Sequence, residues 1–170
     1  VNAFYHSKFT DNLFVVKASG DLIEDDKALD SLIRNIKKLT LHGIKIILVY
    51  GGGKATDKAL EARNIDIQKV EGRRVTDQAT LDVMKDVIGG KLSMRVTEKI
   101  AEHSVEGISL NAVPTDWMDI KLRSKYPTDY GFVGDVMATR RRAILRGFKV
   151  TNFIAVPCLC WAEDQNTLCN

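Results

Sequence analysis

Neither sign of charge dominates this 170-residue sequence: 25 lysines and arginines stand against 22 aspartates and glutamates, for a formal net charge of +3. The charges are interspersed, so no long-range field of one sign develops and no polyanionic partner such as nucleic acid is called for. No apolar run reaches membrane-spanning length. The opening residues 1–12 lack the basic, apolar and small-residue order of a signal peptide. Cysteines number three, an odd count, and Cys158, Cys160 and Cys169 fall short of a zinc spacing; the alternation of the first two fits a strand and a structural role. His6, His42 and His103 are scattered without partners in sequence. Internal repeats and low-complexity linkers are absent. These exclusions lead to the expectation of a soluble, cytoplasmic protein of a reducing compartment. With 45% hydrophobic residues, the length suits one domain around a single core. The final residues 161–170 read as a hairpin in progress, which suggests a fragment.

What is present is a repeating pattern of buried strand and amphipathic helix. Leu13-Phe14-Val15-Val16-Lys17 reads as a strand buried on both faces and ended by the Ala18-Ser19-Gly20 turn; Ile44 to Val49 repeats the pattern. Between them Leu29, Leu32, Ile33, Ile36 and Leu39 recur at helical spacing. Glu24, Asp25 and Asp26 stand at the favourable end of that helix dipole, and Gly43 lies just past its far end. Strand, helix and strand in this span make a right-handed crossover, hence a parallel sheet. A second helix follows through Ala55, Ala59, Leu60 and Ala62. A third starts at Thr76 or Asp77 and runs through Leu81, Met84, Val87, Ile88, Leu92, Val96 and Ile100, interrupted by Gly89-Gly90. Short extended segments (108–113, 120–122, 131–137), a helix at 140–147 and a buried strand at 153–156 complete the pattern. The expected architecture is a three-layer α/β/α sandwich on a mainly parallel sheet, with a β-hairpin insertion near 114–137.

Chemistry concentrates at Tyr50-Gly51-Gly52-Gly53, where a buried strand hands over to a helix. A glycine turn there points backbone amides into one concavity, and the helix adds roughly half a positive charge at its N-terminus, so an anion is the natural guest. One glycine would only mark a tight turn; three in a row favour a ligand. The spacing fits neither common phosphate loop. A P-loop needs glycine where Leu48 stands and a hydroxyl where Ala55 stands, and a dinucleotide fingerprint needs glycine at Thr56. Parallel strands bring their carboxyl ends to one sheet edge, so Lys17 and the turn to Gly20 share an edge with Gly51, Gly52 and Gly53. A lysine closing a strand is more often a solvated end; beside these glycines it becomes a candidate to neutralise a phosphoryl group. Arg73 and Arg74, just ahead of a capped helix, add a candidate bidentate carboxylate clamp. The run Arg140-Arg141-Arg142 with Arg146 reads as the solvated face of its helix.

Lys17-x-x-Gly20, Tyr50-Gly51-Gly52-Gly53, Gly72-Arg73-Arg74-Val75-Thr76-Asp77 and Asp129-Tyr130-Gly131-Phe132-Val133-Gly134-Asp135-Val136, in this order, resemble the amino acid kinase family, specifically acetylglutamate kinases. The resemblance covers nearly the whole chain and corresponds to the N-terminal, amino-acid-binding portion of the family domain, so that 1–170 would lack the C-terminal nucleotide-binding portion. It implies phosphorylation of the side-chain carboxylate of N-acetyl-L-glutamate in arginine biosynthesis, with ATP and Mg2+ serving the full-length protein. Carried over, Lys17 would neutralise the transferring phosphoryl group, with Gly20 in the adjoining turn. Gly51, Gly52 and Gly53 would form the substrate turn, Gly52 and Gly53 offering amides to the reacting oxygens. Arg74 would hold the α-carboxylate, and Asn170 would lie at or next to the asparagine that binds the acetylamino end. The long third helix occupies the place where these kinases form a homodimer. Three features depart from the kinase pattern: Tyr50 for a histidine, Ser19 for a glycine, and Asn111-Ala112-Val113 where a glycine-rich stretch is usual. The tyrosine before the glycines and the Asn-x-Val stretch are closer to the kinase-like domain of acetylglutamate synthases, which implies the alternative of a non-catalytic, arginine-responsive domain.

Overall fold

The computed structural model describes residues 8–170; His6 lies outside the described residues. Four parallel strands form the central sheet: β1 (Leu13–Ala18), β2 (Lys45–Tyr50), β5 (Ile108–Ser109) and β8 (Phe153–Pro157), in the order β1-β2-β8-β5. Register aligns Lys17 with Val49, Ala18 with Tyr50, and Tyr50 with Pro157. The carboxyl ends of three strands therefore finish level with one another.

One sheet face is covered by α2 (Asp26–Thr40), α3 (Gly53–Ala62) and a composite helix made of α4 (Gln78–Met84), a π-helical segment (Lys85–Leu92) and α5 (Ser93–Glu102). The expected stripe of α2 is there, with Leu29, Ile33 and Ile36 buried, Asp25 as N-cap accepting from the Ala28 N–H at 2.8 Å, and Gly43 at φ +74° beyond the end. Asp77 caps α4 by accepting from the Thr80 N–H at 2.8 Å. The glycine pair does not break the composite helix. Gly89 and Gly90 fall in the wider π-helical turns, and Asn111 Nδ2 donates to the Gly89 carbonyl at 2.6 Å. The other sheet face is covered by α6 (Arg141–Gly147) and the segment carrying Val113 and Trp117. Three layers result, as expected.

The insertion is a hairpin of β6 (Met118–Leu122) and β7 (Gly134–Thr139), paired antiparallel. Arg140 and Arg146 do more than solvate α6: Arg140 pairs with Asp119, and Arg146 with Asp116 at 2.6 Å, which ties helix to hairpin. The final hairpin is β9 (Cys160–Ala162) with β10 (Thr167–Cys169).

Two expectations need correction. β1 is not buried on both faces: it has one strand neighbour among the described residues, and Phe14 is 43% and Val15 66% exposed. An all-apolar run reports capacity for burial, whereas position at the sheet edge sets how much is realised. The segment 108–113 is extended only at Ile108–Ser109.

Candidate functional site

Two chain reversals meet at the carboxyl edge of the sheet. After β1, Ser19 caps a short helix, α1 (Gly20–Glu24), its Oγ accepting from the Leu22 N–H at 3.3 Å. After β2, Gly51 and Gly52 lead into α3, which starts at Gly53. The two turns touch backbone to backbone. A Cβ on Gly20 would lie 2.8 Å from Gly52 Cα and 2.9 Å from the Gly51 carbonyl, and one on Gly52 would lie 2.7 Å from Leu92 Cδ1 and 2.9 Å from Ile88 Cγ1. At Gly53 the same addition meets nothing within 4 Å. Gly20 and Gly52 are thus small because they pack, while Gly53 faces open space at a helix N-terminus, the place that attracts an anion.

The nearby cations behave differently from one another. Lys54 is drawn aside to Asp21 of α1 at 2.5 Å, and this bond raises its pKa. Lys17, at the end of β1, makes no side-chain hydrogen bond or ion pair among the described residues. It sits close enough to Cys158 to lower the pKa of that thiol, although burial dominates and leaves the pKa raised. Cys158 also lies 3.6 Å from where a Gly51 Cβ would stand, and its N–H donates to the Tyr50 carbonyl at 2.9 Å. Sequence reasoning gave Cys158 no place in the site, because only strand register brings it there.

Arg74 belongs to a small antiparallel pair, β3 (Lys69–Val70) with β4 (Arg73–Arg74). Its Nη2 donates to the Gly53 carbonyl at 2.8 Å and lies 2.6 Å from Asp57 Oδ1. The motif arginine and the glycine turn therefore meet. Arg73 is exposed and stands apart from this contact. Asn170 Nδ2 donates to Thr76 Oγ1 at 2.9 Å and lies 3.1 Å from Met84 Sδ. Thr76 in turn binds the 130–132 segment: its N–H donates to the Tyr130 carbonyl at 2.9 Å and its carbonyl accepts from the Phe132 N–H at 2.7 Å. Residues 94 positions apart in sequence are brought together here.

Tyr50 turns away from the edge. It is fully buried in the core beneath the sheet near Ser93 and Ser109, and burial raises its pKa. Its hydroxyl makes no hydrogen bond of acceptable geometry among the described residues. The hydroxyls of the two serines face each other at 3.4 Å instead. Beside the site, on the sheet face of α6, a cavity of about 370 Å³ is walled by Val15, Val49, Trp117, Val136, Val156 and Cys160.

Comparison with known proteins decides the family. The profile described as the amino acid kinase family matches residues 12–160. The chain belongs to the amino acid kinase family. Among curated members, it is 31% identical over 141 residues to the acetylglutamate kinase of Campylobacter fetus, covering 83% of this chain and 50% of that protein. It is 34% identical over 140 residues to that of Thermosynechococcus vestitus, covering 82% and 47% respectively. The chain thus spans about half the length of these relatives. A solved N-acetylglutamate synthase from Neisseria gonorrhoeae, complexed with coenzyme A and N-acetyl-glutamate, superposes with a TM-score of 0.80 at 21% identity, covering 99% of this chain and 38% of that one. At that identity the likeness speaks for the amino acid kinase fold alone.

Proposed function

We propose that these residues form the amino-acid-binding portion of an ATP-dependent kinase acting on the side-chain carboxylate of N-acetyl-L-glutamate. The observation that carries this reading is the hydrogen bond from Arg74 to the Gly53 carbonyl, which places a guanidinium beside an open glycine turn at a helix N-terminus. In this reading Arg74 holds the α-carboxylate, and the Gly52 and Gly53 amides face the reacting carboxylate and phosphoryl oxygens. Lys17 offsets the charge that spreads over the transferring group. Asn170 serves the acetylamino end. Gly20 lets the two turns close up, and Gly51 completes the second turn.

The open space beside Gly53, where an added Cβ meets nothing within 4 Å, leaves room for the phosphate end of a nucleotide. ATP supplies the phosphoryl group; Lys17 and the glycine amides orient it and offset its charge. Among the described residues no group of three or more His, Cys, Asp or Glu could hold a metal ion, so Mg2+ enters this reading on the nucleotide phosphates. The remainder of the nucleotide site is assigned to a further segment of the family domain, and the edge of β1 without a strand neighbour among the described residues is the place proposed for it. No helix among the described residues is long and apolar enough to cross a membrane. The proposed homodimer uses the composite helix, where Met94 is 56% exposed. Sedimentation of Met94→Glu tests it, and an unchanged mass would reject that surface.

The deciding experiment is calorimetric titration with N-acetyl-L-glutamate of wild type and Arg74→Ala. Equal affinities would remove Arg74 from the site. The second reading is a non-catalytic, arginine-responsive domain, motivated by Tyr50 and the Asn111-Ala112-Val113 stretch, which resemble acetylglutamate synthases. Tyr50 is a core side chain and Ser19 a helix cap, roles that distinguish neither reading. Acetylglutamate-dependent ADP release by the longer protein containing these residues would reject it.

A further inference from the structure

Asp57 lies on α3, one helical turn beyond the open glycine turn, and its two carboxylate oxygens face different cations. Oδ2 accepts from Lys69 Nζ at 3.1 Å, and Oδ1 lies 2.6 Å from Arg74 Nη2. This side chain therefore anchors both strands of the β3–β4 pair to the helix that opens at Gly53. The Arg74 side chain is 13% exposed and that of Asp57 23%. Their contact lies off the hydrogen-bond axis, so Asp57 Oδ1 is buried without a hydrogen-bond partner among the described residues, and so, separately, is Arg74 Nη1. A guanidinium has five N–H donors, and here its contacts converge on Nη2. The arginine is thus held through Nη2, with the hydrogen-bonding capacity of Nη1 unspent.

We infer that Asp57 is a positioning residue, which holds the Arg74 guanidinium at the Gly53 carbonyl so that its remaining donors meet the carboxylate of the ligand. The inference deepens the acetylglutamate reading and rests on it for the ligand. An anionic side chain beside an anion site is otherwise a handicap, because like charges repel. That makes the sign of one substitution decisive. Asp57→Asn keeps the size and removes the charge. On charge alone an anion then binds more tightly; if Asp57 positions Arg74, it binds more weakly.

The test uses the 170-residue chain in two measurements. The first, without ligand, follows the Arg74 side-chain nitrogen resonances, assigned by their loss in Arg74→Lys. In wild type the two Nη signals are distinct because rotation about Cζ–Nε is slow, and in Asp57→Asn they merge. The second is titration with N-acetyl-L-glutamate, in which Asp57→Asn weakens binding about tenfold or more, as expected where a charged, geometrically fixed bond is mispositioned. Lys69→Gln, which cuts only the other half of the anchor, changes affinity less than about twofold because an exposed ion pair is weak. Distinct Nη signals that persist in Asp57→Asn overturn the inference, as does unchanged or tighter binding. If the signals merge in Asp57→Asn while wild type ignores acetylglutamate, the positioning of Arg74 stands and the substrate reading fails.

Discussion

Gly20 and Gly52 are in backbone contact, close enough that a methyl group on the first would lie 2.8 Å from the Cα of the second. Two turns that follow different strands are thereby locked into one surface. Gly20→Ala forces backbone apart, since the obstacle is a Cα and a carbonyl rather than a flexible side chain. We expect a loss of about 1–3 kcal/mol in urea denaturation. Gly53→Ala adds its methyl to open space, so stability holds while affinity for N-acetyl-L-glutamate falls. Equal destabilisation by the two substitutions would contradict the division of roles among these glycines.

Arg74→Lys keeps the charge and loses the fork. Arg74 spends Nη2 on the Gly53 carbonyl and Asp57 and keeps its other nitrogens for a ligand, whereas lysine has a single ammonium for all three. Hydrogen bonds to charged groups are worth about 1.5–3 kcal/mol, so the affinity for acetylglutamate should fall by roughly 10- to 100-fold. An unchanged melting temperature beside that loss would locate the effect in the ligand site. Unchanged affinity would show that charge alone suffices there.

Much of this arrangement was legible in the sequence, and the reasons differ by element. The helix at Leu29, Ile33 and Ile36 was plain because local periodicity agreed with the acidic residues 24–26 at the favourable end of its dipole; that Asp25 is the cap emerged only from the structure. That β1 and the strand before the glycines end on one edge followed from parallel topology, which puts strand ends level with one another. Three things were beyond reach. The exposure of Val15 depends on which strands flank β1, and a hydrophobic run carries no information about its neighbours. Asp57 reads as one more charge on a solvated helix until β3–β4 folds over it. Tyr50 looked like a substitution at the site, but strand alternation turns its side chain into the core, and only the burial pattern shows which face is which.

The exposure difference between β1 and β2 is itself testable. Leu48 is fully buried and Val15 is 66% exposed, although both stand in apolar strands. Leu48→Ala should cost about 2–5 kcal/mol through lost contacts and a residual cavity. Val15→Lys should move stability by less than about 0.5 kcal/mol, as surface changes do. A large loss from Val15→Lys in equilibrium denaturation would mean that the outer face of β1 is covered in solution.

Stability should also fall in alkali, for a reason located in the last hairpin. Cys160 and Cys169 are directly opposed on β9 and β10, and Cys169 is fully buried. Burial pushes the Cys169 thiol up to about 12 from its ordinary 9.0, and that of Cys160 up to about 11. The folded state therefore holds these protons more tightly than the unfolded chain. Their contribution is complete below pH 9 and is lost as the pH rises from there toward 11 and 12, because the unfolded chain gains by ionising first. Each such group contributes a slope of up to about 1.4 kcal/mol per pH unit inside that window. Lys54, Lys99 and Tyr50, whose pKa values are also raised, slope the same way, so the total alone assigns nothing. Cys169→Ser separates the contributions: serine does not titrate there, and whatever the substitution costs at pH 8, the decline from pH 9 to 11 should become shallower. A slope identical to wild type would show that Cys169 ionises as readily in the folded protein as in the unfolded one, which its position beneath Gly134 and Ile120 argues against.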